Sequence, residues 1–263
     1  MVWHAAVKLA YDGRPFIGSQ RQPEGRTVES ETITALQRIG AITSPEESRF
    51  FLASRTDRGV SALGNVAAFK TSFSREALLR ALNAAAKDVL FYAWAEVPDT
   101  FKPRRARERW YRYLLPSHGL DVEAVKQCAT LLEGRHDFRR FCKPNGRPTV
   151  RTLNSIEIEV CDGIIVVDLR AREFLHNMVR RMVAAMTEVG AGRVSLEAVS
   201  RALEGEAISF GLAPPEPLTL MDVSHDIVFN VQYPPTLRRK VAAYQIDVLS
   251  RSAFVQSLCE RLE

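Results

Sequence analysis

The stretch "DTFKPRRARERWYRYLLP", residues 99–116, is where the chain begins its pattern a second time. Its first half is a basic, proline-bearing linker. Its second half is a strand, with Tyr111 and Tyr113 on one face and Trp110 and Arg112 on the other. Upstream, "WHAAVKLAYDG" (3–13) predicts a strand ending at an Asp-Gly turn. Residues 27–42 carry Val28, Ile33, Leu36 and Ile39 at helical intervals. "RFFLAS" (49–54) and "NVAAFKT" (65–71) predict strands. Ser74 caps a helix with Glu76 in its first turn, where the helix dipole favours an acid. "DVLFYAWAEVP" (88–98) predicts the next strand. The order is β-α-β-β-α-β, that of a ferredoxin-like unit.

Downstream of the linker the rhythm returns without any repeat of sequence. The strand "WYRYLLP" precedes a helix at 121–134, strands at "RTLNSIEIEVCDG" and "IIVVDLRA", helices at 173–190 and from Ser195, and a closing strand at 218–223. The expected fold is α+β, with two ferredoxin-like halves at 1–103 and 104–225. They form one extended, mostly antiparallel sheet, with helices on one face and an open cleft on the other. Residues 226–263 form an extension, helical after its prolines.

A chain of 263 residues buries a real core. Its 46% hydrophobic and 25% charged residues argue against disorder. Thirty-six Lys and Arg against 31 Asp and Glu leave a formal charge of +5, a modest pointer to a polyanionic partner. Placement says more. Arg104, Arg105, Arg107, Arg109 and Arg112 form one cluster, and Arg135, Arg139, Arg140, Lys143, Arg147 and Arg151 another. Arginine grips phosphate with two donors and stacks on bases, so this usage suits RNA; the plain alternative is a solvated charged face. Four scattered cysteines and five histidines show no ligand spacing. The start of the chain has no signal-peptide pattern, and no apolar run spans a bilayer. The expectation is a cytoplasmic, reduced protein with no metal, no cofactor and no membrane partner.

The residues that can carry chemistry begin at "ASRTDRGVSA" (53–62). An Asp shortly before a Gly is ordinarily a turn residue that bonds its own backbone. Arg55, two positions from Asp57, shares its face in an extended segment and favours its ionised form. Such a carboxylate serves as nucleophile or base only when positioned. Tyr111 and Tyr113 are either half-buried strand residues or a stacking platform between arginines. In the helix over 173–190, Phe174, Leu175, Met178, Val179, Met182, Met186 and Val189 form a core stripe. His176 and Arg180 fall together on the opposite face, with Arg181 near the stripe's border. His136 and Asp137 sit in a loop before Phe138 with no nucleophilic Ser or Cys motif, which argues against a triad.

Taken in order, these elements resemble the tRNA pseudouridine synthase A family. The matching stretches are "YDGRPFIGSQRQ", "RTVES", "SRTDRGVSALGNVAAF", "ALNAA", "RRARERWYRYLL", "GRHDFRRF", "EFLHNMVRRMVAAMTEVGAGR" and "FGLAPPEPLTLMDV". Only the segment after about residue 225 falls outside the pattern. Ser54, Arg58 and Ser61 replace residues usual in bacterial members and look like the archaeal and eukaryotic branch. The resemblance implies isomerisation of uridine to pseudouridine in the anticodon stem-loop of tRNA, within positions 38–40, and a homodimer. The base flips out, the N1–C1′ bond breaks, and the base rejoins through C5. On the matched positions it implies Asp57 as the essential carboxylate and Arg180 as its ion-pair partner. Arg55 enters the space the base leaves, and Tyr111 stacks on the uracil, a role Tyr113 can exchange with it. Arg58, Tyr113, Arg104, Arg105, Arg109, His136, His176 and Arg181 are expected to bind substrate. Two other readings compete: a non-catalytic RNA-binding protein with two ferredoxin-like modules, which has no use for Asp57, and a nucleoside glycosidase, which releases free uracil.

Overall fold

The computed structural model describes residues 1–261. In the first part, β1 (Trp3–Tyr11), α1 (Val28–Arg38), β2 (Phe51–Leu52), β3 (Ser61–Thr71), α2 (Arg75–Ala85) and β4 (Val89–Glu96) follow one another. The second part contains β5 (Glu108–Pro116), α3 (Val122–Leu132), β6 (Gly134–Asp137), a 3-10 turn (Phe138–Phe141), β7 (Val150–Cys161) and β8 (Ile164–Ala171). It continues through α4 (Met178–Gly190), α5 (Leu196–Leu203) and β9 (Leu218–Ser224), and the chain ends with β10 (Asn230–Val231) and α6 (Pro235–Cys259). The helix starts follow side-chain chemistry. Thr27 and Ser30 form a reciprocal capping box, and Ser74, Asp121 and Ser195 each accept a first-turn N–H.

All ten strands join one mixed sheet in the order β10-β4-β1-β3-β9-β5-β8-β7-β6, with β2 alongside β3. Pairing is antiparallel everywhere except at the seam between the two parts, where β3 runs parallel to β9. The seam is held by only two registered pairs, Ser61–Thr219 and Ala62–Leu220. Gly64 permits the close approach there, since a Cβ on it would lie 2.5 Å from Asp222 Oδ1 and 2.6 Å from the Met221 carbonyl. Lys8 on β1 reaches over the seam to pair with Asp222 on β9.

Register and burial identify the faces of the sheet. Tyr111, Tyr113 and Leu115 lie opposite Leu169, Val167 and Ile165, and all six are buried. This face packs under helices: α3 and α4 contribute Cys128, Leu132, Met182 and Met186 to the core. Trp110 and Arg112, pointing the other way, meet Arg170 and Asp168. Trp110 and Arg112 both donate to the Asp168 carboxylate, and the Arg170 guanidinium lies 4.2 Å over the Trp110 ring.

Four expectations change. The cleft does not open on the face opposite the helices, because Tyr111 belongs to the buried set of β5; it lies on the helices' own side of the sheet, lined by loops and the start of α4. The strand expected over 49–54 shortens to Phe51–Leu52. His136 and Asp137 lie in β6, paired with Arg151 and Val150, rather than in a loop. The helix expected over 173–190 begins at Met178, because Asn177 adopts φ 63°, which ends any helix reaching back to Glu173.

In the extension, α6 docks through its first turns only. Leu237 is buried, Lys240 donates to the Ala86 carbonyl, and the Tyr244 hydroxyl donates to Asp12 at 2.8 Å. The described part from Gln245 onward is exposed, and the last two residues of the expected extension lie outside the described part.

Candidate active site

The Asp57 loop leaves β2 and is fastened at every step before the carboxylate. Asn65 of β3, fully buried, accepts from the Ser54 N–H at 3.2 Å and donates to the Ser54 carbonyl at 2.9 Å. Arg109 of β5 donates to Ser54 Oγ at 2.7 Å and to the Ala53 and Arg104 carbonyls at 3.0 Å each, and also bonds the Arg172 carbonyl. The Thr56 N–H donates to Ser19 Oγ at 2.7 Å, and the Thr56 carbonyl accepts from the Ser19 N–H at 3.1 Å. Thr56 Oγ1 lies 2.9 Å from the Tyr11 hydroxyl, whose pKa burial pushes up despite its bonds to Thr56 and Asn65. The turn then closes through the Val60 N–H to the Asp57 carbonyl at 3.2 Å, with Gly59 at φ 83°.

The Asp57 side chain takes no part in that turn. Among the described residues, its carboxylate faces two partners. Arg180 Nη1 lies 3.5 Å from Oδ2 and His176 Nε2 lies 3.5 Å from Oδ1. Arg180 is itself fixed, because its Nε donates to the Ala213 carbonyl at 2.7 Å and its own carbonyl accepts from the Ala213 N–H at 3.2 Å. Tyr111 lines the same cleft and packs edge-on against Phe174 at 5.1 Å. Burial pushes its phenol pKa up, and the nearby Tyr11 and Asp57 push the same way against the opposing charge of Arg109. The hydroxyl is therefore a proton-bearing group at neutral pH.

The cleft has a volume of about 1030 Å³. Of the residues singled out in the sequence, Arg55, Asp57, Arg58, Arg104, Arg109, Tyr111, His176 and Arg180 line it. Tyr113 does not: it is buried one pleat further along β5. His136 turns to the Glu133 carbonyl at 2.6 Å, and Arg105 sits on the exposed linker. Arg181 lies outside the lining, on the side of Cys142. Arg109 lines the cleft but has spent its donors on the protein, so it serves the scaffold.

Among the described residues, Arg55, Arg58, Arg104 and Arg147 line the cleft with no carboxylate within ion-pair distance. Partial burial, then the like charges of Arg104 and Arg147, lower the pKa of Arg55. Cations left unpaired and crowded in this way favour an anionic occupant. Sequence reasoning passed over Ser19, Asn65 and Tyr11, which hold the loop. Their only signal was position inside "YDGRPFIGSQ" and "GNV", because polar residues that bond across strands have no periodicity.

A positioned carboxylate in a cleft of unpaired arginines defines an enzyme site for a polyanion. The family model described as tRNA pseudouridine synthase matches residues 128–226. The tRNA pseudouridine synthase A of Pyrococcus abyssi is 44% identical over 233 residues, covering 87% of this chain and 86% of that protein. That of Methanosarcina mazei is 40% identical over 230 residues, 86% of each chain. That of Pyrococcus furiosus is 39% identical over 262 residues, 98% of this chain and 92% of its own, so its match takes in the extension that lay outside the recognised pattern. A solved Cbf5-Nop10-Gar1 complex overlaps 70% of this chain at a TM-score of 0.35 and 13% identity, too loose an overlap to carry an assignment. The chain belongs to the tRNA pseudouridine synthase A family, enzymes that isomerise uridine in tRNA.

Proposed function

We propose that this chain converts uridine to pseudouridine in the anticodon stem-loop of tRNA, within positions 38–40. The observation that carries the reading is the Asp57 carboxylate, free of its own turn and faced by Arg180 inside an arginine-lined cleft. Asp57 acts on the ribose of the flipped nucleotide, as nucleophile or as the base that starts cleavage of N1–C1′. Arg180 holds it aimed, a preorganised charge pair. Tyr111 stacks on the uracil and helps remove the C5 proton, its hydroxyl passing its own proton to water as it takes the one from C5. Its place in the lining favours it over Tyr113 for this role. Arg55 enters the space the base vacates, while Arg58, Arg104 and Arg147 hold neighbouring phosphates.

The ferredoxin-like halves are part of the same proposal. Their support is strand order: β4-β1-β3-β2 in residues 1–103 and β9-β5-β8-β7 in residues 104–225. A homodimer belongs to the same proposal; a cleft of about 1030 Å³ holds a nucleotide and its neighbours, and a second subunit would extend the surface for the rest of a tRNA. A cytoplasmic location is part of the same reading, supported by tRNA as the substrate. A purely RNA-binding role leaves Asp57 unused and is the weaker reading.

The test uses purified enzyme and a tRNA transcript carrying C5-tritiated uridine. Wild type releases tritium and forms pseudouridine, and Asp57→Asn does neither while still binding the RNA. Near-normal release by Asp57→Asn overturns the assignment, tritium-free binding by wild type supports the non-catalytic reading, and free uracil marks a glycosidase.

A further inference from the structure

The two groups facing Asp57 are mounted differently. Arg180 leaves the body of α4 near its start, is tied to Ala213, and has a side chain only 13% exposed. His176 precedes the helix in a turn closed by the Met178 N–H to the Leu175 carbonyl at 3.0 Å. Asn177, at φ 63° and ψ 5°, holds the third position of that turn, the left-handed one that a type II turn reserves for Gly or Asn. The His176 carbonyl accepts from the Lys143 N–H at 2.9 Å, which fixes the peptide orientation. A costly backbone conformation therefore sits beside a half-exposed imidazole aimed at Asp57 Oδ1. The imidazole spends no ring bond elsewhere among the described residues.

Resting on the reading of Asp57 as the reacting carboxylate, we propose that His176 is a positioning residue that masks Asp57 Oδ1 in the free enzyme and yields it to the RNA. Arg180 stays on Oδ2 throughout. The incoming ribose displaces the imidazole, which is exposed enough to swing aside. Because an imidazole gains charge on the acid side of neutrality, the mask tightens there, and substrate must compete with an ion pair rather than a neutral contact. The other charged groups around the cleft are Arg14, Arg55, Arg58, Arg104, Arg109, Arg147, Arg151, Arg180, Glu173 and Glu216, with Lys143 on the segment that bonds the His176 carbonyl. Guanidinium, ammonium and carboxylate groups ordinarily keep their charge between pH 6 and pH 8.

The sign of the effect separates this from the simpler role expected for a histidine in a basic cleft. A protonated His176 that touched phosphate would lower the KM for tRNA in acid, whereas a mask raises it. Steady-state kinetics on a tRNA transcript between pH 6 and pH 8 decide. For wild type, KM rises about two- to fivefold toward pH 6, the size of an exposed ion pair, relative to His176→Gln measured in parallel. The kcat ratio of the two enzymes stays flat with pH. In a second measurement, needing no loss of the imidazole, nuclear magnetic resonance of the free enzyme follows the His176 ring. Its ring signals at a fixed pH move when Asp57 is changed to Asn, because the facing carboxylate is gone. A KM that falls in acid, equal pH profiles for wild type and His176→Gln, or unmoved ring signals each overturn the mask. An active Asp57→Asn enzyme instead removes the reading beneath it, so the two failures are distinguishable.

Discussion

Arg180 and Asp57 meet across 123 residues of sequence, and the arginine arrives already tied to the Ala213 carbonyl at 2.7 Å. The guanidinium thus uses one edge for the scaffold and another for the carboxylate. A lysine cannot make both contacts, since its ammonium is a single point charge. Arg180→Lys is expected to retain tRNA binding within a fewfold and to lose about 10²-fold in kcat, the scale of removing one preorganised charge. Single-turnover assays with filter-binding controls check this split.

Arg109 is a test of scaffold against substrate contact. It bonds Ser54, Ala53, Arg104 and Arg172 and is 7% exposed. Arg109→Met keeps the length but leaves those acceptors without a donor, at a cost of about 2–3 kcal/mol. The urea midpoint should fall and kcat with it, because the Ser54 end of the loop loosens. A variant with wild-type stability and a changed salt dependence of tRNA binding would instead mark Arg109 as a phosphate contact.

Gly13 couples the end of β1 to the Asp57 turn. A Cβ there would lie 2.2 Å from the Val60 carbonyl oxygen and 2.6 Å from the Gly59 carbonyl carbon, both backbone atoms that cannot swing aside. Gly13→Ala should therefore push the turn away and lower kcat at least tenfold, with a smaller loss of thermal stability. Circular dichroism melts and initial rates on the same preparation separate the two effects.

Asp168 predicts an acid limb of stability. Burial disfavours its ionisation, but bonds from Arg112 and Trp110, helped by the charges of Arg112 and Arg170, outweigh burial and bring its pKa below the usual carboxylate range. A carboxylate depressed in the folded state stabilises above its unfolded pKa of about 3.9 and loses that contribution as pH falls toward the folded value. Asp168→Asn should thus melt lower than wild type near pH 7, and the gap should close below about pH 4. A gap that stays constant with pH would assign the loss to packing alone.

Much of the framework was legible along the chain. The alternation of β5 foretold that Tyr111 and Tyr113 share a face, and the cap at Ser74 lies where local hydrogen bonding requires it. What escaped was non-local. The helix over 173–190 looked continuous because Phe174 and Leu175 extend its apolar stripe, yet Asn177 breaks it for the sake of a turn that aims His176. The cleft was placed on the wrong face because periodicity separates two faces of a strand without saying which one the helices leave partly uncovered.

The sequence by itself determined the elements, their order and the family, since these rest on residue patterns within a few turns or strands of one another. Asp57 beside Arg55 was visible in that way too, but only as an Asp near a Gly. Arg180 was its expected partner only through the family resemblance; tertiary structure brought it within 3.5 Å and added His176 as a second partner. Arg180 comes from the start of α4 and His176 from the turn before it, Ser19 and Asn65 fix the Asp57 loop, and Arg109 pins the strand behind it. Those contacts join residues 11 to 123 positions apart. Polar groups brought together in this way leave no period in the sequence, because each is selected by a partner on another element: Asn65 and Ser19 within the first part, Arg109, His176 and Arg180 from the second.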